Sequence, residues 1–159
     1  MKLVKVIILF AVALMAAASA FAQDKPADTN MQILLDKVKA DKKLVVAANM
    51  ELNEAEGQAF WPIYEAYQKD LQALNDRLSK VILAYASAYN AKSLTDAQAT
   101  QLTTEAIAID QDEVSLRKAY AAKLVSAIPA RKVARYLQIE NKIRAAIKYD
   151  LAAGIPLVP

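Results

Sequence analysis

The chain has 159 residues, of which 56% are hydrophobic and 23% are charged, with a formal net charge of +3 at pH 7. It contains no His and no Cys, so the usual general base, the commonest metal ligand and the thiolate nucleophile are all missing. No phosphate-binding loop or nucleophile-elbow motif occurs either, so we predict that the protein is not an enzyme and has no catalytic residue, metal site or cofactor.

The N-terminus has the layout of a secretory signal peptide. Two lysines precede an uncharged apolar run, and Ala20-Phe21-Ala22 places small residues at the two positions that a signal peptidase requires. We therefore predict a signal peptide over residues 1–22, cleaved after Ala22, and a flexible leader over residues 23–30. The alternative is an uncleaved anchor, because the uncharged run over residues 6–22 approaches the minimum length of a membrane span.

The processed chain divides into an acidic and a basic part. Residues 23–116 carry 9 basic and 15 acidic side chains, net −6, whereas residues 117–159 carry 9 basic and 2 acidic, net +7. This asymmetry indicates either an anionic partner or two halves that lie side by side, within a monomer or across a dimer. We favour the second interpretation, and we do not expect nucleic acid as a partner of an exported protein.

The first two predicted helices follow the leader. One begins near Asn30, and the charged residues 41–43 are expected to bend or interrupt it. The next begins with a capping-box variant, in which Asn53 is the N-cap, Glu56 lies three residues on and Leu52 is the hydrophobic staple. Its apolar residues then recur in steps of four and three, which is a heptad seam typical of a long helix packed against another: Phe60, Tyr64, Tyr67, Leu71, Leu74, Leu78, Val81 and Tyr85.

A third helix is predicted from the capping box formed by Thr95 and Gln98, with Leu94 as its staple. Its apolar stripe contains Leu102, Ala106, Ile109, Leu116, Tyr120 and Leu124. Glu113 stands where an apolar residue is due, and acidic residues lie next to it. We interpret this acidic spot as a solvated helix face.

A fourth helix is predicted after Pro129, which suits a first helical turn. Its apolar spacing includes Val133, Tyr136, Leu137, Glu140, Ile143 and Ile147. Gly154 is expected to cap it, and residues 154–159 form a C-terminal tail. The sequence therefore predicts an all-α fold of about four helices, arranged as long antiparallel hairpins in a single helical domain over residues 31–153.

The stretch Leu94-Thr95-Asp96-Ala97-Gln98 is similar to the L-T-x-x-Q signature of the Spy/CpxP-type periplasmic proteins, and Leu52-Asn53-Glu54-Ala55-Glu56 resembles a second copy. The resemblance implies a periplasmic location and a thin, elongated, cradle-shaped four-helix fold that forms a homodimer. It also implies ATP-independent holding of unfolded proteins, or modulation of an envelope-stress sensor. The motif residues correspond to helix-capping positions: Leu94, Thr95, Gln98, Leu52, Asn53 and Glu56.

These observations together predict an exported protein that binds other proteins: unfolded or partly folded periplasmic chains, or a sensor. Long hairpins leave apolar seams for a partner, and basic side chains steer acidic chains toward them. The candidate partner-binding residues are Arg117, Lys118, Arg131, Lys132, Arg135, Lys142, Arg144 and Lys148. The alternatives are a dedicated regulatory partner of a membrane sensor or envelope complex, and a peripheral protein whose basic last helix contacts the membrane surface.

Overall fold

The computed structural model of the protein describes the backbone of residues 29–158 and the side chains of residues 40–158. This part of the chain forms four helices: α1 (Thr29–Met50), α2 (Glu54–Asn90), α3 (Asp96–Val125) and α4 (Ala130–Gly154). No strand occurs among these residues, so the predicted all-α class is confirmed. Within the same range, no helix combines the length and the apolar character that a membrane span needs. The predicted signal peptide and nearly all of the predicted leader lie outside the described residues.

The helix α1 is interrupted at Asp41, whose backbone is extended, with φ −165° and ψ 100°. The Asp41 carboxylate accepts a hydrogen bond from the Leu44 backbone N–H at 3.0 Å, which is the geometry of a helix N-cap. Residues 42–50 therefore start a new helical segment with its own cap. The interruption predicted from the charged residues 41–43 is confirmed.

Both predicted capping boxes form. The Asn53 side chain accepts from the Glu56 N–H at 2.8 Å, and the Glu56 carboxylate accepts from the Asn53 N–H at 3.0 Å. At α3, the Thr95 hydroxyl accepts from the Gln98 N–H at 3.2 Å, and the Gln98 side-chain oxygen accepts from the Thr95 N–H at 3.0 Å. These bonds satisfy N–H groups that have no partner inside the helix, and so they fix where α2 and α3 begin.

Replacing Thr95 with Ala is expected to lower the free energy of unfolding by about 1 kcal/mol, because an N–H at the start of α3 loses its acceptor. Urea denaturation followed by circular dichroism measures this loss. Thr103→Ala, at an exposed position inside α3, is the matched control and is expected to be neutral or slightly stabilising. An equal loss in both variants would contradict a role of the cap.

The helices pack as antiparallel neighbours. The connection between α2 and α3 spans residues 91–95, and the two helices make the most extensive contact in the described chain, as a hairpin does. Lys92 allows the tight connection by adopting a left-handed φ of 51°. The helix α4 then packs against both α1 and α3.

Most of the core is one aromatic cluster near the α1–α2 and α3–α4 connections. The rings of Phe60, Tyr64 and Tyr136 lie with centroids 5.1–6.0 Å apart, and Tyr67 contacts Tyr120 at 5.4 Å. The buried residues of this cluster are Val46, Met50, Phe60, Tyr64, Tyr67, Leu71, Tyr120, Leu124, Ile128, Val133, Tyr136 and Ile143. A smaller cluster of Ile82, Ala86 and Leu151 joins the other end of α2 to the end of α4.

The heptad seam predicted on α2 is buried in its first half. In its second half the buried positions lie one residue later in the sequence than predicted. The first four seam residues are buried as predicted: Phe60, Tyr64, Tyr67 and Leu71. Farther along α2, Ile82 and Ala86 are buried instead of Val81 and Tyr85. An α-helix has 3.6 residues per turn, so a strict heptad drifts by about 20° per repeat unless the helix supercoils. The step of 11 residues from Leu71 to Ile82 matches a straight helix better.

The helix α4 ends at Gly154, one residue beyond the predicted boundary of the helical domain, and Ile155 is its C-cap instead of the predicted Gly154. The Pro156 carbonyl accepts a hydrogen bond from the Tyr85 hydroxyl at 3.1 Å. This bond attaches the start of the tail to α2. The last described residues, Leu157 and Val158, are exposed.

Candidate protein-binding surface

The acidic spot on α3 is solvated at Asp110 and Asp112, whose side chains are 65% and 53% exposed, but the interpretation is wrong for Glu113. Glu113 and Arg144 of α4 are each largely buried, with side chains 13% and 14% exposed, and Arg144 Nε lies 2.5 Å from Glu113 Oε1. The Nε hydrogen does not point along this contact, so the pair is ionic rather than a directed hydrogen bond. Glu113 occupies a position in the apolar seam because Arg144 on the facing helix compensates its negative charge.

The neighbouring carboxylates are also paired within the chain. Asp110 contacts Lys148 at 2.8 Å, and Arg77 of α2 contacts Asp112 at 2.6 Å. The basic α4 therefore lies against acidic side chains of α3. This supports the interpretation that the two oppositely charged halves neutralise each other inside the monomer.

Two further candidate residues stabilise the end of α1. Lys132 donates to the backbone carbonyls of Met50, at 3.3 Å, and Glu51. Arg135 forms a bidentate pair with the Glu51 carboxylate, with distances of 2.7 and 3.1 Å. Cations at a helix C-terminus satisfy free carbonyls and oppose the negative end of the helix dipole. These side chains connect α4 to α1.

Of the eight candidate partner-binding residues, four thus have acidic or carbonyl partners in the same chain: Lys132, Arg135, Arg144 and Lys148. The other four make no ion pair with a carboxylate among the described side chains: Arg117, Lys118, Arg131 and Lys142. The second group has its charges available for a partner. Two of its members, Arg117 and Lys118, lie next to each other on α3.

These two cations line a shallow groove of about 540 Å³ between α3 and α4. The α3 side also contributes Val114 and Ala121, and the α4 side contributes Leu137 and Asn141. The groove therefore combines apolar walls with two positive charges at one edge. Its shape and chemistry suit an extended or helical segment that carries apolar and acidic side chains.

An exposed apolar stripe continues this groove along α3. Ile107, Val114 and Val125 are 55%, 53% and 56% exposed, and their spacings of 7 and 11 residues place them on one helix face. Only the buried stripe of α3 was predicted from the sequence, and this second stripe was not. Its signal is present in the sequence, because aliphatic residues recur at helical spacing on two faces of the same helix.

A buried polar cluster joins α1, α2 and α4. Glu140 is 1% exposed, and both of its carboxylate oxygens lie 2.9 Å from the Lys42 ammonium. Gln68 donates to Glu140 at 2.9 Å and accepts from Lys42 at 3.0 Å, and the Tyr136 hydroxyl donates to Glu140 at 3.2 Å. The position of Glu140 on the apolar spacing of the last helix was predicted from the sequence, but its partners were not.

The hydroxyls of Tyr64 and Tyr67 are buried beside this cluster and have no hydrogen-bond partner in the described structure. Burial, and next the nearby Glu140 carboxylate, raise the pKa values of both phenols well above the usual value near 10. The same two causes raise the pKa of Tyr136. All three phenols therefore stay neutral over the whole physiological pH range.

Among the described side chains, no group of three or more carboxylates, His or Cys is close enough to hold a metal ion. Comparison with protein-family models, with curated proteins and with solved structures gave no match in any of the three searches. The surface and the polar cluster are therefore the features from which a function can be inferred.

Proposed function

We propose that the protein is exported to the periplasm and binds other polypeptides there without ATP, holding unfolded or partly folded chains. The observation that carries this proposal is the exposed stripe of Ile107, Val114 and Val125 beside Arg117 and Lys118. Exposed apolar side chains retain unfolded segments, while unpaired cations speed the encounter with acidic ones.

The dedicated regulatory partner of a sensor or envelope complex is the second candidate. It fits the same surface, and it differs in that one protein rather than many binds with saturation. The membrane-surface alternative receives less support, because four of the basic residues in the last part of the chain face partners within the chain. The homodimer implied by the family resemblance stays a prediction.

The first experiment expresses the full-length chain with its own N-terminus in a secreting bacterial host and purifies the product from the periplasm. Intact mass is expected to show a chain that begins at Gln23. Light scattering then follows aggregation of a chemically unfolded client with and without the purified protein. Suppression at near-equimolar ratio supports holding, whereas a folded, helical protein without suppression favours the dedicated partner.

The stripe is tested by Ile107→Asp/Val114→Asp. Each change puts a charge where a client's apolar side chain would lie, and we expect the client dissociation constant to rise at least about tenfold. The matched control is Leu83→Asp, which changes a 51% exposed residue on α2. Equal effects of the stripe variant and the control would place the binding surface elsewhere.

The role of charge is tested by Arg117→Glu/Lys118→Glu. We expect slower association with an acidic client and a weaker dependence of the association rate on salt, because the steering charges are reversed. Stopped-flow fluorescence with a labelled client measures both. Lys69→Glu/Lys80→Glu changes the net charge equally at exposed positions of α2 and is expected to have a smaller effect.

A further inference from the structure

The end of α1 covers part of the aromatic cluster through one stripe of side chains. Within residues 42–50, Val46 and Met50 are fully buried, whereas the other side chains are partly buried or exposed. The preceding break at Asp41 separates this segment from the rest of α1. Residues 42–50 therefore form a short strap that is held as a unit of its own.

Polar contacts hold the two ends of the strap, in addition to its two buried side chains. At one end Lys42 reaches Glu140 and Gln68, and Lys43 lies 5.1 Å from the centre of the Trp61 ring. At the other end, Lys132 and Arg135 hold the carbonyls and the carboxylate at the α1 terminus. The Arg135–Glu51 contacts are exposed, so water competes with them more readily than with buried apolar surface.

Beneath the strap lies a groove with a defined chemistry. Its walls contain Phe60, Tyr64, Val133 and Tyr136, and its polar end is the Glu140 carboxylate, which has only 1% exposure while the strap is in place. Lys42, Val46 and Met50 recur every four residues, so they occupy the groove as one stripe of a helix. The ammonium meets the carboxylate and the two aliphatic side chains meet the aromatic walls.

We propose that this groove is a second polypeptide-binding site, which the strap occupies in cis and leaves when a competing segment of another protein arrives. The ligand is an amphipathic helical segment with Lys or Arg followed, four and eight residues later, by aliphatic side chains. Such a segment reproduces the contacts of Lys42, Val46 and Met50. This site differs from the α3 stripe in its elements and in the charge that it selects.

The test uses a fluorescently labelled peptide of residues 40–52 of this chain as the probe. The full chain carrying Lys42→Glu places a second carboxylate against Glu140 and should release the strap, which the single tryptophan, Trp61, reports by a change in emission. We expect the peptide to bind this variant about tenfold or more tightly than the wild-type chain, where the tethered strap competes. A peptide with Val46→Asp is the control and should bind at least tenfold more weakly.

Equal binding of the peptide to both chains, or no binding to a variant that keeps its helix content, would overturn the proposal. A second measurement uses the wild-type chain, so a misfolded variant does not leave the question open. By hydrogen exchange and mass spectrometry, amides of residues 44–50 should exchange at least about tenfold faster than those of residues 64–71. Equal protection of the two segments would mean that the strap opens only with global unfolding, and would also overturn the proposal.

Discussion

Replacing Lys42 with Met is expected to lower the free energy of unfolding by about 3–5 kcal/mol, because it leaves the Glu140 carboxylate buried without its cation. Lys42 pairs with that carboxylate at 2.9 Å, and its own side chain is 12% exposed. Gln68 and Tyr136 still donate to Glu140, but neutral donors do not compensate a full negative charge. Urea denaturation followed by circular dichroism gives the change.

The double variant Lys42→Met/Glu140→Leu is the matched control. Removing both charges is expected to restore most of the lost stability, since a buried ion pair contributes little net free energy compared with apolar residues of similar size. A double variant as unstable as the single one would show that the two residues act independently. Trp61 emission is recorded in parallel, because it reports whether the strap undocks. If the strap undocks, water reaches Glu140, and the loss in the free energy of unfolding then equals the docking free energy of the strap.

The elements that local chemistry specifies could be predicted from the sequence. Asn53 and Thr95 each begin a helix because a side chain within three residues completes the cap, and no distant contact is needed. The break at Asp41 has the same origin, in a carboxylate that caps the next turn. The first half of the α2 seam was predictable for a related reason, since its spacing reflects one helix face.

Two kinds of feature could not be predicted in this way. One is which face of a long helix is buried after several turns, and the other is a contact with a side chain far along the sequence. The shift from Val81 to Ile82 accumulates over several turns of α2 and depends on whether that helix supercoils. Glu113 looked solvated because its cation, Arg144, lies on another helix. Glu140 likewise needs Lys42, which is 98 residues away in the sequence. Helical spacing gives the face on which a charged residue lies, but not the side chain opposite.

The charge asymmetry of the sequence has a consequence for the candidate surface. Because Lys132, Arg135, Arg144 and Lys148 are used inside the chain, the basic character of the last part of the chain overstates what a partner meets. The available cations are fewer, and two of them adjoin the exposed apolar stripe of α3. A charged face with apolar residues at its centre favours binding to polypeptides over a purely electrostatic contact.

Stability is expected to be constant from neutral pH to about pH 9.5 and to fall steeply above pH 10, as the buried tyrosines begin to titrate in the unfolded chain. Burial and the Glu140 carboxylate raise the pKa values of Tyr64, Tyr67 and Tyr136, so the folded protein retains these protons where the unfolded chain releases them. The hydrogen bond to Asp70, and then burial, raise the pKa of Tyr120 to about 12.

A group with a raised folded-state pKa contributes stability below its unfolded pKa and loses it as the pH rises toward the folded value. Four such phenols, including Tyr120, give a slope of about 5 kcal/mol per pH unit between the unfolded pKa and about pH 12, at about 1.4 kcal/mol for each proton. Urea denaturation at a series of pH values measures the slope, and tyrosinate absorbance is expected to appear together with unfolding.

Single phenylalanine variants separate the contributions. Tyr64→Phe is expected to reduce the alkaline slope by about a quarter and to raise stability at neutral pH by about 1 kcal/mol, because it removes a buried hydroxyl that has no partner. Tyr136→Phe should reduce the slope similarly but lower neutral stability, since its hydroxyl donates to Glu140. Tyr149→Phe, at a position 46% exposed, is the control and should change neither. If Tyr64→Phe left the slope unchanged, titration of the buried phenols near Glu140 would not explain the loss of stability at alkaline pH.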